Sequence, residues 1–280
     1  GCERGGCAFD SSPRWAMRRG RRRGERAGVW RAILKDASRW LLLDVGNSAV
    51  KWRLAAPTQL SSQGGRAENL EMLRSMLDGL DWQHVAVASV AGDQLDADLA
   101  EIVTEGKPVK VRYATSESEL LGLRNGYQAP QTLGVDRWLA MLAGWHHLGG
   151  PLCVIDAGTA ITLDLIAADG THEGGFILPG AELMHRSLGV GTGKIRVDRL
   201  TAPAVLPGGD TAACVNAGVW LAITGLLEAS LAANPAHRVV VTGGGAADLL
   251  TLKPKIEHQP DLVAEGLRLW LALQLDDRPS

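Results

Sequence analysis

The sequence predicts an α/β protein in which two copies of one α/β unit face each other across a cleft. The first observation is a strand, a tight Asp-x-Gly turn and a returning strand, which occur around Asp44 and again around Asp156, 112 residues later. The second is a pair of later apolar strands, one running into Gly92 and its counterpart running into Gly243. A repeat of this length corresponds to a domain, so we interpret the chain as duplicated. Two facing copies would bring both Asp-x-Gly turns to a shared cleft, where ligands commonly bind.

Length and composition favour a folded, two-lobed protein. The chain has 280 residues, of which 46% are hydrophobic, and this is enough to bury two cores. No stretch approaches about 18 consecutive apolar residues, and the N-terminal region lacks the apolar run of a secretory signal. We therefore expect a cytoplasmic protein with no membrane partner. The cysteines Cys2, Cys7, Cys153 and Cys214 show neither disulfide nor zinc spacing, and the last two are expected in the core.

Charge is distributed unevenly along the chain, although the net charge is only −2. Residues 1–39 carry eleven basic and four acidic side chains, and the remaining 18 basic and 27 acidic residues give the rest a net charge of −9. The basic residues include the cluster Arg18, Arg19, Arg21, Arg22 and Arg23. Such a cluster can bind nucleic acid or an anionic membrane nonspecifically. Because the segment is rich in Gly and Arg and lacks apolar periodicity, we interpret residues 1–39 as a disordered extension and expect no specific nucleic-acid partner.

Strand and helix patterns alternate through the first unit, which we place at residues 40–148. Its opening, residues 41–54, predicts a strand, a tight turn and a second strand. The predicted elements that follow are a helix over 67–80, a strand over 84–91, a helix over 94–104 and a strand over 108–113. The second unit, at residues 149–280, opens with the same strand, turn and strand over 152–166.

The two Asp-x-Gly turns have the composition of phosphate-binding loops. Glycine and small polar residues let backbone N–H groups approach phosphate oxygens closely, because no Cβ stands in the way. Asp44 and Asp156 would be repelled by phosphate, so a cation such as Mg²⁺ is needed between them. Lys51 adds a positive charge within reach of phosphate. One such turn can be an ordinary hairpin connection, whereas two on matching strands indicate phosphate or metal binding.

Other polar segments leave two interpretations open. The turn Gly243-Gly244-Gly245 can bring the backbone close to a nucleotide, or it can be a strand-to-helix turn that needs an unusual φ. His185 and Arg186 can contact phosphate or face solvent. His146 and His147 are expected on a helix face.

The segment 125–144 carries the most specific pattern. Its second half has apolar residues at helical spacing, which are Trp138, Leu139, Leu142 and Trp145. This spacing places Asp136 and Arg137 in or near the first turn of a helix. Helix N-termini favour anions, so Asp136 is stabilised there and a bound carboxylate is favoured beside Arg137. Asp136 can equally be an ordinary first-turn residue, with Arg137 as its solvated neighbour.

Taken together, these motifs resemble the type III pantothenate kinases in order and spacing, over about residues 40–272. The matching segments are Asp44-x-Gly-Asn-x-x-x-Lys51, Asn125-Gly-Tyr127, Gly134-Val-Asp-Arg137, Asp156-Ala-Gly-Thr159 and Gly175-Phe-Ile-Leu-Pro-Gly180. The resemblance implies a duplicated ribonuclease-H-like fold of the actin, hexokinase and acetate kinase superfamily, and a homodimer. It also implies ATP-dependent phosphorylation of pantothenate to 4′-phosphopantothenate, the first step of coenzyme A biosynthesis.

The resemblance further implies roles for individual residues. ATP would be bound by Thr159 and by the turn Asp44, Val45, Gly46, Asn47, Ser48, Ala49, Val50 and Lys51. Pantothenate would be bound by Tyr127, Gly134, Val135, Asp136, Arg137 and Thr211. Asp136 would accept the proton of the substrate hydroxyl, and Asp44 would lie near the Mg²⁺ that accompanies ATP. Asp156 would bind a monovalent cation, potassium or ammonium.

Two alternative functions remain open from the sequence. A sugar or acetate kinase would share the phosphate-binding cleft, although the Asn-Gly-Tyr and Gly-Val-Asp-Arg segments resemble pantothenate kinases rather than sugar kinases. A nucleotide-binding regulatory accessory factor would give a role to the basic residues 1–39.

Overall fold

The computed structural model of the protein describes residues 38–191 and 199–276. The described residues form twelve strands and seven α-helices, with a 3-10 turn at Pro130–Thr132. In chain order they are β1 (Trp40–Val45), β2 (Val50–Ala56), β3 (Gln59–Ala67), α1 (Leu70–Leu77), β4 (His84–Ser89), α2 (Asp93–Thr104), β5 (Val111–Tyr113), β6 (Glu119–Leu120), β7 (Leu123–Arg124), α3 (Val135–Leu148), β8 (Leu152–Ala157), β9 (Ala160–Ile166), β10 (His172–Pro179), α4 (Ala181–Gly191), α5 (Thr211–Ala233), β11 (Arg238–Thr242), α6 (Ala246–Leu252), β12 (Glu257–His258) and α7 (Leu262–Asp276).

Two five-stranded sheets have the same strand order and the same strand directions. The first has the order β3-β2-β1-β4-β5 and the second has the order β10-β9-β8-β11-β12. In each sheet the first three strands are joined by antiparallel pairing. The remaining two strands of each sheet join by parallel pairing. This repeat confirms the predicted duplication of one α/β unit.

Helices cover both faces of each sheet, which explains why β1 and β8 are almost continuously apolar. Successive side chains of a strand point to opposite faces. Leu41 and Leu43 of β1 therefore pack with α1 and α2, whereas Leu42 enters a core on the other face. In the second sheet, Ile155 of β8 packs with Ile223 of α5 in the corresponding outer core.

A central core between the two sheets is built on α3 and α7. Trp138 of α3 and Leu267 and Leu271 of α7 are fully buried there. The two helices cross closely at Gly266, where an added Cβ would overlap the carbonyl oxygen of Leu139. Because α3 ends the first predicted unit and α7 ends the second, this core joins the two halves.

Polar contacts also attach α7 to the first half. Arg268 donates from Nη1 to the carbonyl oxygen of Pro57. Glu265 accepts from Arg268 Nε at 2.8 Å and lies 2.9 Å from His147 Nε2. Burial raises the pKa of Glu265, but the hydrogen bonds from Arg268 and His147 outweigh burial and lower it to about 2. The predicted division at residue 148 falls between α3 and β8. The helix α7 lies after this division in the chain, but it contacts the first half.

Three observed elements are shorter than predicted, and one of them is β4, which was expected over 84–91 and ends at Ser89. The helix expected over 67–80 begins only at Leu70, because β3 continues to Ala67 and Asn69 caps the helix by accepting from Met72 N at 2.8 Å. The strand expected over 108–113 begins at Val111.

Cysteine burial follows the prediction at one position only. Cys153 is fully buried, as expected. The prediction for Cys214 is wrong, because this residue lies exposed in the first turn of α5, where its thiol donates to the carbonyl oxygen of Gly208. Cys2, Cys7 and the basic cluster of residues 18–23 lie outside the described residues.

The helix α5 is long and apolar enough to span a membrane by length and composition. One of its faces, which includes Val219, Ile223 and Leu227, is buried in the core of the second sheet. Long core helices have the same composition, so this property does not distinguish a membrane segment from a core helix.

Candidate active site

The two Asp-x-Gly turns meet across one cleft. Ser48 Oγ of the first turn lies 3.1 Å from Thr159 Oγ1 of the second, across 111 positions of sequence. Each turn is closed by an equivalent backbone bond, from Gly46 N to Ala49 O at 3.1 Å and from Gly158 N to Ala160 O at 2.9 Å. Val45 and Val50 are buried strand ends, so the exposed part of the first turn is formed by Asn47 and Ser48.

Lys51 lies opposite Asp44 in the β1–β2 pairing, and its Nζ contacts Asp44 Oδ2 at 3.2 Å. Burial lowers the pKa of Lys51, but the attraction of the Asp44 and Asp156 carboxylates outweighs burial and raises it. Lys51 therefore stays charged and lies within the electrostatic reach of both turns.

Asp156 carries a carboxylate oxygen without a protein partner. Its Oδ1 is buried and accepts no hydrogen bond. Burial raises the pKa of Asp156 to about 6, and Asp44 and Asp136 add to the increase while Lys51 opposes it. An uncompensated buried carboxylate oxygen is a suitable ligand for a cation.

Gly243 borders the same small space. Its φ is +92°, and an added Cβ would overlap both Asp156 Oδ1 and the carbonyl oxygen of Ala157. The backbone conformation therefore requires glycine, as one interpretation of the turn predicted, and the close approach it permits is to the Asp156 carboxylate. Gly245 N donates to the same Ala157 oxygen at 2.8 Å, just before α6 begins. No group of three or more His, Cys, Asp or Glu side chains in residues 38–191 and 199–276 is arranged to hold a metal ion. Backbone oxygens, water or phosphate are suitable as the remaining ligands of a cation here.

Asp136 lies in the first turn of α3, as the sequence predicts, and faces the same cluster of charges. Gly134 precedes the helix, and a Cβ there would lie 2.6 Å from Asp136 Oδ1, so glycine leaves room for the carboxylate. Asp136 Oδ1 accepts from Arg137 N at 2.8 Å. Burial raises the pKa of Asp136, the Arg137 N–H lowers it, and Asp44 raises it, so the pKa lies above its ordinary value.

Arg137 is not a solvated neighbour of Asp136, because its side chain is only 5% exposed. Nε donates to Asp164 Oδ2 at 3.0 Å, and Nη2 donates to Asp164 Oδ1 at 2.5 Å. Nη1 donates to Tyr127 Oη at 3.0 Å. The guanidinium thus links Tyr127 to β9 rather than projecting freely into the cleft.

Asp164 and His172 are parts of this region that the sequence reasoning missed. A signal existed, because Asp164 interrupts the apolar strand β9, and a charged residue in a buried strand requires a partner. The partner could not be read from the sequence, since Arg137 lies 27 positions away.

The other predicted residues lie apart from this cluster or in its walls. Val135 is buried in the central core. Thr211 is exposed at the start of α5, where Asp210 caps the helix by accepting from Ala213 N at 2.8 Å. Thr211 lines an open apolar depression together with Leu188, Cys214, Val215, Gly218 and Val219.

The histidines outside the cleft are placed as follows. His146 and His147 lie in the last turn of α3, as expected, and burial lowers the pKa of His146 to about 4, with His147 and Arg268 adding to the decrease. On α4, His185 is buried and Arg186 is exposed.

A sequence profile described as type III pantothenate kinase matches residues 40–233. The chain belongs to the type III pantothenate kinase family. A relative of that name from Ectopseudomonas mendocina (strain ymp) is 39% identical over 249 residues, which cover 82% of this chain and 97% of the relative. Another, from Halorhodospira halophila, is 39% identical over 248 residues, covering 82% of this chain and 96% of that one. The chain is therefore a kinase, a phosphotransferase that uses ATP.

Similar solved structures support the fold alone. A Campylobacter jejuni protein assigned to the Baf family of transcriptional activators has a TM-score of 0.56 at 21% identity, covering 84% of this chain and 98% of that chain. The activator of 2-hydroxyisocaproyl-CoA dehydratase from Clostridium difficile, with bound ADPNP, has a TM-score of 0.50 at 9% identity, covering 86% and 98%. A Sinorhizobium meliloti protein assigned as a 2-dehydro-3-deoxygalactonokinase has a TM-score of 0.51 at 14% identity, covering 86% and 100%. The kinase therefore has the duplicated ribonuclease-H-like fold of actin-like ATPases and sugar kinases, as the sequence resemblance implied.

Proposed function

We propose that this kinase transfers the γ-phosphoryl group of ATP to pantothenate, giving 4′-phosphopantothenate and ADP in the first step of coenzyme A biosynthesis. The observation that carries the proposal is the position of Asp136, whose carboxylate is close enough to Asp44 for the two charges to interact. A candidate base therefore lies near the turn that is proposed to bind phosphate. Family membership supplies the acceptor, and no observation favours a sugar, an acetate or a regulatory role.

The nucleotide phosphates are proposed to lie on the turn from Asp44 to Lys51 and against Thr159. Backbone N–H groups of the turn would donate to phosphate oxygens, and Lys51 would add a charge. Asp44 is suited to hold the Mg²⁺ of the nucleotide through water, and the metal would neutralise charge on the β- and γ-phosphate oxygens.

Asp136 is proposed as the proton acceptor. The primary hydroxyl oxygen of pantothenate attacks the γ-phosphorus while its proton passes to the Asp136 carboxylate. The bond from the γ-phosphorus to the β,γ-bridging oxygen breaks, and ADP leaves. Burial holds the pKa of Asp136 above its ordinary value, which makes this carboxylate a stronger base than an exposed aspartate. The pantothenate is proposed to lie between Tyr127 and the start of α3 from Gly134 to Arg137, with Thr211 as a further contact.

A monovalent cation, potassium or ammonium, is proposed at Asp156. The support is its buried, unpartnered Oδ1, next to the carbonyl oxygen of Ala157 at the wall formed by Gly243. A bound cation would offset the Asp156 charge and favour phosphate nearby.

A homodimer in the cytoplasm is the proposed working form, with no membrane and no nucleic-acid partner. The face formed by α4 and α5 is apolar where Thr211 lies, and large apolar side chains near it are exposed, including Leu183, Val190, Leu206 and Leu221. Exposed apolar surface of this kind is typical of an interface. A second copy of the chain is the occupant that the family resemblance implies.

The decisive experiment measures ADP release by the purified protein with ATP, Mg²⁺ and potassium, with and without pantothenate. The release is expected to require pantothenate and to match the formation of 4′-phosphopantothenate one to one. A rate that is the same without pantothenate would rule out the substrate assignment.

Asp136→Asn tests the base in the same assay. Turnover is expected to fall by about 100-fold or more, because general-base catalysis contributes about 10²–10⁴-fold. ATP binding, measured by calorimetry, should change little, since Asn keeps the size of the side chain. Retention of most of the activity would show that Asp136 is only an ordinary first-turn residue of α3.

A further inference from the structure

A buried chain of hydrogen bonds extends from Tyr127 into the second sheet. Tyr127 Oη accepts from Arg137, and Arg137 forms a two-pronged ion pair with Asp164 on β9. His172 Nε2 on β10 lies 2.9 Å from Asp164 Oδ1. An ionised carboxylate can only accept, so this nitrogen carries the hydrogen. The side chains of Asp164 and His172 are 2% and 0% exposed. The helix α3 and the loop that carries Tyr127 are thereby anchored to the second half.

Close packing holds the same group in place. The ring of Tyr127 stacks on His172, with centroids 5.8 Å apart and an interplanar angle of 18°. An added Cβ at Gly126 would overlap the carbonyl oxygen of His172. At Gly175 an added Cβ would lie 2.6 Å from Asp164 Oδ1 and 2.9 Å from Arg137 Nη2. The Tyr127 ring is thus held against His172, and Arg137 and Asp164 are packed closely against Gly175.

The directions of these hydrogen bonds determine what Tyr127 presents to the cleft. Arginine has only donors, so Tyr127 Oη must be the acceptor of the bond from Arg137. The hydroxyl hydrogen of Tyr127 is then available to another acceptor. Arg137 itself has its charge matched by Asp164 and three N–H groups already bonded. The hydroxyl of Tyr127, more than the guanidinium of Arg137, is therefore the group offered to a ligand.

We propose that Asp164 is a positioning residue for the acceptor substrate and acts through Arg137 on Tyr127. The proposal rests on the proposed function, in which Tyr127 lines the pantothenate site. Asp164 and His172 hold Arg137, Arg137 directs the Tyr127 hydroxyl, and that hydroxyl donates to an oxygen of the substrate. A substrate lacking a carbonyl, hydroxyl or carboxylate oxygen at this place is disfavoured. The nucleotide is proposed to lie on the two turns, so its binding should not depend on these hydrogen bonds.

A double-mutant cycle in the coupled ADP-release assay tests this linkage. Asp164→Asn is expected to raise the KM for pantothenate by about ten- to a hundredfold, the range for losing a hydrogen bond supported by a charge. The KM for ATP should change by less than about twofold. The fold-change in kcat should be smaller than the fold-change in the KM for pantothenate. Tyr127→Phe should have a similar effect, and the double variant should be no worse than the more impaired single variant. Additive effects, or an equal rise in the KM for ATP, would overturn the proposal.

Glu265→Gln is the matched control for loss of a buried carboxylate. Glu265 also pairs with a buried arginine, Arg268, but on α7. This variant is expected to lower the melting temperature while the KM for pantothenate stays within about twofold of the wild-type value. A rise in that KM equal to the rise in Asp164→Asn would mean that general destabilisation is responsible, and would refute the positioning role.

Spectroscopy of Tyr127 gives a readout that does not depend on turnover. The chain contains only two tyrosines, Tyr113 and Tyr127, so ring-labelled tyrosine gives two sets of NMR signals. Pantothenate should shift the Tyr127 signals and leave those of Tyr113, on β5, in place. If Asp164→Asn does not fold, His172→Gln is used instead, because it leaves the Arg137–Asp164 ion pair intact. It should raise the KM for pantothenate while the KM for ATP stays within about twofold of the wild-type value, and an unchanged KM for pantothenate would refute the proposal.

Failure of the proposed function is distinguishable from failure of this inference. If the rate of ADP release by the wild-type protein does not depend on pantothenate, the substrate assignment is contradicted before any variant is made. A wild-type protein that requires pantothenate, together with an Asp164→Asn variant of normal KM, contradicts the positioning role alone.

Discussion

The two halves of this kinase share a strand order but differ in the charge of their equivalent turns. Asp44 is the penultimate residue of β1 and pairs with Lys51, whereas Asp156 is the penultimate residue of β8 and pairs with Thr162. Asp44 consequently forms an ion pair at 3.2 Å, and Asp156 keeps a buried oxygen without a partner. One cross-strand position therefore makes one turn suited to phosphate and the other suited to a cation. The two halves repeat the same strand order, and the residue opposite the turn aspartate is one difference between them.

A second equivalent position reinforces the difference. Ser89 pairs with Val45 in the first sheet, and Gly243 follows the last pair of β11 with β8 in the second. Ser89 donates to Asp96 Oδ1 at 2.7 Å and so fills its position, while Gly243 leaves space beside Asp156 Oδ1. The second half therefore has both the free charge and the room that a cation needs.

The largest expected effect comes from removing the free charge of the second turn. Asp156→Asn should lower kcat by about 100-fold or more, because loss of a ligand exceeds the 10–100-fold cost of altering the groups around a metal. The residual activity should no longer respond to potassium or ammonium. Asp169→Asn, an exposed aspartate of the same half, serves as the control and should keep normal activity. A potassium response that persists in Asp156→Asn would show that the two turns do not differ as described.

The pH dependence of stability provides a second test of the unpaired carboxylate. Burial first, and then Asp44 and Asp136, raise the pKa of Asp156 to about 6, against an opposing effect of Lys51. A carboxyl whose pKa is higher in the folded state binds its proton more tightly there, so its contribution to stability falls as the pH rises from about 4 to about 6. Without nucleotide or potassium, Asp156→Asn should be more stable than the wild type by about 1–3 kcal/mol above pH ~6, and the advantage should shrink toward pH ~4.

Urea unfolding of both proteins across this pH range measures the difference, which cancels other titrating groups such as Glu265. Potassium added at pH ~8 should stabilise the wild type and not the variant. A stability difference that does not vary with pH would mean that Asp156 is not the titrating group.

A smaller effect is expected from making the first turn resemble the second. Lys51→Thr introduces the residue type found opposite Asp156. The KM for ATP should rise by about tenfold, since a partly exposed lysine contributes a moderate charge interaction with phosphate. The KM for pantothenate should remain within about twofold of the wild type. Lys255→Thr, an exposed lysine of the second half, is the matched control. If the KM for ATP changed equally in Lys51→Thr and Lys255→Thr, Lys51 would have no specific role in binding the nucleotide.

Most strands near the site could be predicted from sequence, but the edge strands β3 and β10 could not. β1 and β8 are apolar runs that end in the same short turn, so their pattern is local and appears twice. β3 and β10 are largely exposed and contain polar residues and glycine, so they lack the alternation that identifies a strand. Such edge strands form because a neighbouring strand offers hydrogen-bonding groups, which is a tertiary effect.

The candidate site was likewise predictable only in its local parts. Asp136 was expected in the first turn of a helix because helical spacing follows it directly. For Arg137 the sequence allowed a substrate contact or a solvated position, and the side chain instead lies buried against Asp164. The position of the Arg137 side chain depended on Asp164 of β9. No spacing rule predicts that this strand residue contacts the helix.

The sequence by itself determined the two α/β units, their paired Asp-x-Gly turns and the helix that carries Asp136, because each depends on residues that are neighbours in the chain. Tertiary structure alone decided that Ser48 contacts Thr159 and that Asp156 keeps an oxygen without a hydrogen-bond partner. It also decided that Arg137 donates to Asp164 and Tyr127. The physical reason is that the charge state and availability of a side chain depend on burial and on nearby charges. Those neighbours come from parts of the chain that only folding places together.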